Sequence, residues 1–319
     1  MRRIFLVLIL AFCFHGGIYS QVVQRQFNPV DVTEIPANEV QALIDFYNET
    51  GGPTWKANRN WLDSDTPSSW YGISVSNGHV VELILIDNNL TGTIPNSISQ
   101  LSELSVLYLF NNKITGTIPD SITKLQKLQR INLYHNNIEG HIPDRIDRLQ
   151  NLQEIILAQN NLTGSIPRTI LKLKNIEGIS LSGNKLEGEL LDSIFVLKKL
   201  KWLSLSENNL SGNIPKTLFE INSLVWLAVA DNQLEGEIPD NISDAQNMTH
   251  LDLSNNQLSG RIPGSIVQLR NLSLLNLSNN RLTGNVPTGL RQLESIKRMV
   301  LSGNLLIEGL NLENPEEEN

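Results

Sequence analysis

The chain has one cysteine, Cys13, among 319 residues. That excludes a framework of intrachain disulfides, on which small secreted domains often depend. Aromatic residues make up only 6% and charged residues 18% of the sequence, and the 25 basic side chains are outnumbered by 33 acidic ones. Nucleic-acid binding needs clustered Lys and Arg to neutralise phosphates, so that partner is not expected. Long apolar runs are also missing. The one continuous apolar stretch, residues 4–14, is too short to span a bilayer, so no membrane span is expected. The histidines beyond it, His79, His135, His141 and His250, show no metal-ligand spacing, and neither a metal nor a cofactor is expected.

What is present begins with a leader. Arg2 and Arg3, the apolar stretch and the small residue Ser20 make residues 1–20 a signal peptide, which implies a secreted, periplasmic or cell-surface location. Cleavage before Gln21 removes two arginines and Cys13, leaving 23 basic against 33 acidic side chains, a charge of −10, and no cysteine. Residues 21–35 are assigned to a linker.

From Asn88 to Asn304 an asparagine recurs every 24 residues without insertion or deletion, giving ten units over residues 81–307. Around it runs L-x-L-x-x-N-x-L-x-G-x-I-P, as in Leu83, Leu85, Asn88, Leu90, Gly92, Ile94 and Pro95. The two leucines of L-x-L face one way and their neighbours the other, which predicts a short strand with one buried face. The asparagine both donates and accepts, so it can satisfy backbone groups where the chain leaves the strand. Glycine then permits a turn with positive φ, and proline fixes the next segment. Ile98 and its equivalents close the convex side onto the same core. At Leu190 and Leu191 the Ile-Pro pair is lost, which predicts a different convex turn in the fifth unit. Glu308 replaces the tenth unit's glycine and opens an acidic tail over residues 308–319, so the last unit is expected to fray.

This repeat resembles that of the plant-type leucine-rich repeat family, which implies an α/β repeat solenoid. Such a horseshoe or superhelix carries short parallel strands on its concave face and a helical N-terminal cap. Residues 36–80 fit the cap. Val40, Leu43, Ile44 and Tyr47 fall at helical spacing, Gly51-Gly52 supplies a stop, and Trp55, Trp61, Trp70 and Tyr71 follow. Ser69 and Val75 stand where plant caps carry cysteines, so the cap is similar to cysteine-free forms in secreted bacterial leucine-rich repeat proteins.

Functional residues must then lie on outward positions. The side chains six, four and two residues before each repeat asparagine project from the concave strands. In the first units two of these columns are bulky and apolar, and Ile84, Ile86, Tyr108, Phe110 and Tyr134, with His135 at the rim, form a candidate ligand-binding patch. In the outer column Trp202, Trp226 and His250 occur in consecutive units, either stacked together or forming a platform for a sugar or peptide. Ten strands make a sheet of roughly 45 Å, suited to a protein, peptide or polysaccharide. The acidic pairs Glu187/Glu189 and Glu235/Glu237 sit on turns without a cleft, so no enzymatic activity is expected. A threonine rank of the kind ice binding needs begins at Thr91, Thr93, Thr115 and Thr117 but is broken by Glu139, Glu187 and Glu235. The expected function is a secreted recognition module, monomeric in solution. The resemblance offers an inhibitor of a cell-wall hydrolase, similar to polygalacturonase inhibitors, as one alternative, and a self-associating adhesive array is another.

Overall fold

The computed structural model describes residues 34–307. The signal peptide, linker residues 21–33 and the acidic tail lie outside the described residues. Each unit forms one coil, and stacking the coils builds an eleven-stranded concave sheet. Its first strand, β1 (Ile73–Ser76), belongs to the cap and pairs antiparallel with β2 (His79–Ile84). Nine further strands, from Val106–Tyr108 to Arg298–Val300, continue the sheet in parallel. The constant unit length keeps register, so Ile84, Tyr108 and Asn132 are direct partners, as are Trp202, Trp226 and His250. The inward leucines of every strand are buried in one continuous core, which the isoleucines and leucines of the convex 3₁₀ turns close from the other side.

The asparagines form the expected ladder. Asn184 Nδ2 donates to Leu157 O at 3.1 Å and Leu181 O at 2.9 Å, while its Oδ1 accepts from Leu162 N at 2.9 Å. The same three bonds recur as far as Asn304. At the other end Asn88 turns to the cap, accepting from Ala57 N at 2.6 Å and donating to Ala57 O at 2.9 Å.

A second sheet was not foreseen. Residues just past the asparagine stay extended, and their amides reach the preceding coil, as in Lys113 N to Leu90 O at 2.8 Å and Thr115 N to Gly92 O at 2.7 Å. Five such strands, from Glu139–Gly140 to Gln233–Glu235, make a parallel sheet on the flank, and Thr283–Asn285 pairs with Leu305–Ile307 further on. In the fifth unit Leu190 fills the isoleucine slot and is buried, and the 3₁₀ turn shortens to Ile194–Val196. The third unit shortens in the same way, to Ile146–Arg148, although it keeps Ile142-Pro143. Loss of the proline is therefore not the cause. The residues from Glu308 on, with which fraying of the tenth unit was expected, lie outside the described residues. Through residue 307 the unit keeps ladder and strand, and Leu305 and Ile307 at its open end are 68% and 63% exposed.

The cap docks as if it were a preceding coil. Helix α1 (Ala37–Glu49) buries Val40, Ala42, Leu43 and Phe46, and Gly51 ends it at φ +72°. Ile44 and Tyr47, expected in the buried stripe, are only partly covered, although Tyr47 meets Trp55 edge-on at 5.1 Å; Phe46, not counted in that stripe, is fully buried beside the same ring. The helix leaves its final carbonyls without helical partners. They are satisfied by the first repeat: Thr91 N donates to Thr50 O and Thr93 N to Glu49 O. Gly92 lies between them at φ +71°, where an added Cβ would sit 2.1 Å from Glu49 O. The β1–β2 hairpin turns at Asn77-Gly78, both with positive φ, the combination that matches strand twist in a two-residue turn.

A buried carboxylate ties helix to sheet. Glu39, 1% exposed, lies 2.6 Å from His79 Nδ1 and accepts from Val80 N at 2.8 Å. This hydrogen bond holds the His79 pKa above its ordinary value. The folded state therefore favours protonated His79, and the pair's contribution is fully present below about pH 6.5 and lost as pH rises through the raised value. The melting-temperature difference between the parent and His79→Gln should be constant below about pH 6.5 and shrink as pH rises through the raised value. A difference that stays constant with pH would remove the charged pair from this account.

Candidate recognition surface

The predicted patch comes together. Ile84 and Tyr108 are cross-strand partners, the Tyr108 and Phe110 rings lie 6.3 Å apart, and Tyr134 and His135 are 5.8 Å apart. Ile84, Ile86, Tyr108, Phe110 and Tyr134 are half-buried; Ile84 and Tyr108 end their strands, and Ile86, Phe110 and Tyr134 follow two residues past the strand ends. His135 is exposed, takes the left-handed conformation at φ +53° on the turn before Asn136, and meets Asn111 Oδ1 at 3.2 Å. The rim position expected for it follows from that turn.

Both margins of the patch are polar. On one side Glu82 accepts from Ser74 Oγ at 2.7 Å, and Arg130 Nε lies 3.8 Å from Glu154. Burial raises the Glu154 pKa despite the arginine, and burial, followed by the Glu154 charge, raises that of Tyr108. On the other side Asp87 pairs with Lys56 at 2.6 Å, and Asn111 and His135 continue the turn column. An apolar centre with a polar rim is the usual plan of a macromolecular contact surface.

The Trp202, Trp226 and His250 column does not form the single stack that was one expectation. Trp226 and His250 stack at 4.3 Å and 17°, whereas Trp202 lies across Gly178 on its other neighbouring strand. Burial lowers the His250 pKa, keeping the imidazole neutral at pH 7. The signal in the sequence was Gly178, the one glycine in this column, whose missing side chain makes room for the indole.

Elsewhere, a groove of about 1090 Å³ on the flank is lined by residues including His141, Asp144, Glu187, Asn209 and Ser211. These belong to the repeating turns, and among the described residues no group of histidines and acids is arranged to hold a metal ion. The flank's threonine rank is interrupted by Glu139, Glu187 and Glu235, as expected. No described helix is long and apolar enough to cross a membrane.

Coils of constant length, an asparagine ladder and a concave sheet define a repeat solenoid. The chain belongs to the leucine-rich repeat family, in its plant type: family models described as leucine-rich repeat match residues 78–139, 151–173, 199–221 and 246–306. None of the curated proteins matches it. Among solved structures it is similar to the plant peptide hormone receptor RGFR1 in complex with RGF2, with 36% identity over 68% of this chain and 35% of the receptor, TM-score 0.67. It is also similar to the Arabidopsis receptor kinase HAESA in complex with the peptide hormone IDA and the co-receptor SERK1, with 35% identity, 68% and 36% coverage and a TM-score of 0.66. The chain thus spans about a third of the length of either receptor. A plant ice-binding protein is similar over 86% of this chain and 89% of its own, at 26% identity and a TM-score of 0.75.

Proposed function

We propose that the protein is an extracellular, non-catalytic recognition module that holds a peptide segment or protein partner on the apolar strip of its first repeats. One observation carries this reading: Ile84, Ile86, Tyr108, Phe110 and Tyr134 form a continuous apolar strip on adjacent strands, bounded on both sides by charged and polar groups. Aromatic residues at the centre of such a surface usually supply most of the binding energy. Support also comes from the similar plant receptors, which were solved with peptide hormones bound. The leader supports an extracellular location. Ice binding is not favoured, because charged side chains break up the flank that would need a regular rank of small groups.

The test is to select a displayed random-peptide library on immobilised protein and measure the selected peptides against a Tyr108→Ser/Phe110→Ser variant. Both side chains point away from the core, so the variant should fold. Peptides rich in aliphatic or aromatic residues should be enriched, and the variant should lose at least about tenfold in affinity. Absence of enrichment, or equal affinity for the variant, would refute the assignment. A parent dimer that dissociates in the variant would reassign the strip to self-association.

A further inference from the structure

The second half of the concave face has a different chemistry from the first. Trp202 and Trp226 are direct partners in parallel register, yet their rings diverge. Trp202 crosses to the strand before it, where a Cβ on Gly178 would lie 1.8 Å from the indole, and Trp226 carries His250 on the strand after it. Among the described residues no other ring meets Trp226. Beside this aromatic margin the next two columns are small and hydrogen-bonding. The Ser182 and Ser204 hydroxyls share a 2.7 Å bond, Ser206 Oγ accepts from Ala230 N, and Asp252 and Asn276 are linked at 3.3 Å. Ser180 is half-buried, and its hydroxyl bonds to no other described residue.

Beside the two tryptophans the charge is compensated or negative, and Arg298 lies two strands beyond His250. Lys201, next to Trp202, is held by Glu177 at 2.6 Å, and Asp231 and Glu207 lie on the bordering turns. An anionic ligand would meet repulsion here, and an apolar peptide would meet a floor of serines.

We infer that the Trp202–Trp226–His250 shelf and the serine floor beside it form a binding site for a neutral hexopyranose chain, separate from the apolar strip of the first repeats. A pyranose ring has one face of C–H groups, which packs on an indole, and a rim of hydroxyls that both donate and accept, matching the hydroxyls of Ser180 and Ser204. Consecutive strands about 4.8 Å apart offer such partners repeatedly along a chain. Gly178 is a positioning residue: it touches no sugar but lets the Trp202 ring lie flat on the sheet.

The test titrates residues 21–319 with cellohexaose, mannohexaose and chitohexaose, using polygalacturonate as the anionic control, by calorimetry and tryptophan emission. At least one neutral oligosaccharide should bind saturably, and Trp202→Ala and Trp226→Ala should each weaken binding at least about tenfold. Gly178→Ala should also weaken it, with a shift in emission as the ring is displaced, whereas Tyr108→Ser/Phe110→Ser should leave it unchanged. That last arm separates failure of this site from failure of the peptide site. No binding of the neutral probes, binding unaffected by the tryptophan variants, or preference for polygalacturonate would overturn the proposal. So would library peptides whose affinity depends on Trp202, which would assign the shelf to protein contact.

Discussion

Replacing Trp61 by Ala should destabilise the cap by about 3 to 5 kcal/mol, the range for deleting a large buried aromatic. Trp61 is 2% exposed and lies at the centre of the cap's ring cluster. It stacks with Tyr47 at 5.7 Å and 17°, meets Trp55 edge-on at 5.1 Å, and packs against Trp70 at 5.0 Å. Its Nε1 also donates to Tyr71 O at 2.8 Å, so truncation removes that partner as well as the packing. The described residues contain no cysteine, so the cap is held by this packing and its hydrogen bonds. Repeat solenoids unfold by neighbouring units, so loss of the cap should appear as a separate early transition that leaves the sheet of the later repeats folded. Urea unfolding followed by near-UV and far-UV circular dichroism checks this: the aromatic signal should be lost first. Coincident transitions, with a shift below about 1 kcal/mol, would show that the rings are dispensable.

Asn184→Ala should cost about 1 to 3 kcal/mol, and the geometry explains why the cost is no larger. Four bonds are lost, but three of the abandoned groups keep a partner, Ser182 O among them through Gln159 N. Leu157 O still accepts from Asn160 at 3.1 Å, and Leu181 O from Asn208 at 3.0 Å. Only the buried Leu162 amide, bonded to Asn184 Oδ1, is stranded. Each strand-end carbonyl thus serves two successive asparagines, and the ladder tolerates one missing rung better than a simple count of bonds suggests. The midpoint of urea unfolding is the measure. A variant as stable as the parent would mean that water reaches the Leu162 amide, contrary to its burial.

The concave strip and the aromatic shelf differ in how far they could be anticipated. Ile84, Tyr108, Phe110 and Tyr134 fall at fixed offsets from the repeat asparagine, so their common face was legible once the period was found. The shelf's composition was equally legible, but its geometry was not. Whether two indoles on adjacent strands stack or splay depends on the space beside them, and here that space is supplied by Gly178 one strand away. Likewise, Glu39 falls among apolar residues in α1, and only folding shows that its carboxylate reaches His79, forty residues away.

By itself the sequence determined the coil length, the register, the inward leucines, the asparagine ladder and the columns facing the concave space. Each of these is local and repeats, and an exact 24-residue period leaves a stack of coils a single register that keeps every leucine inside. Tertiary structure alone decided the flank sheet, the docking of the helix end onto Gly92, the ring cluster around Trp61 and the divergence of Trp202 from Trp226. The cap contacts join residues whose separation follows no repeat, while the flank sheet and the tryptophans recur at the repeat spacing but turn on unsatisfied backbone groups and packing space, which exist only after the chain has folded.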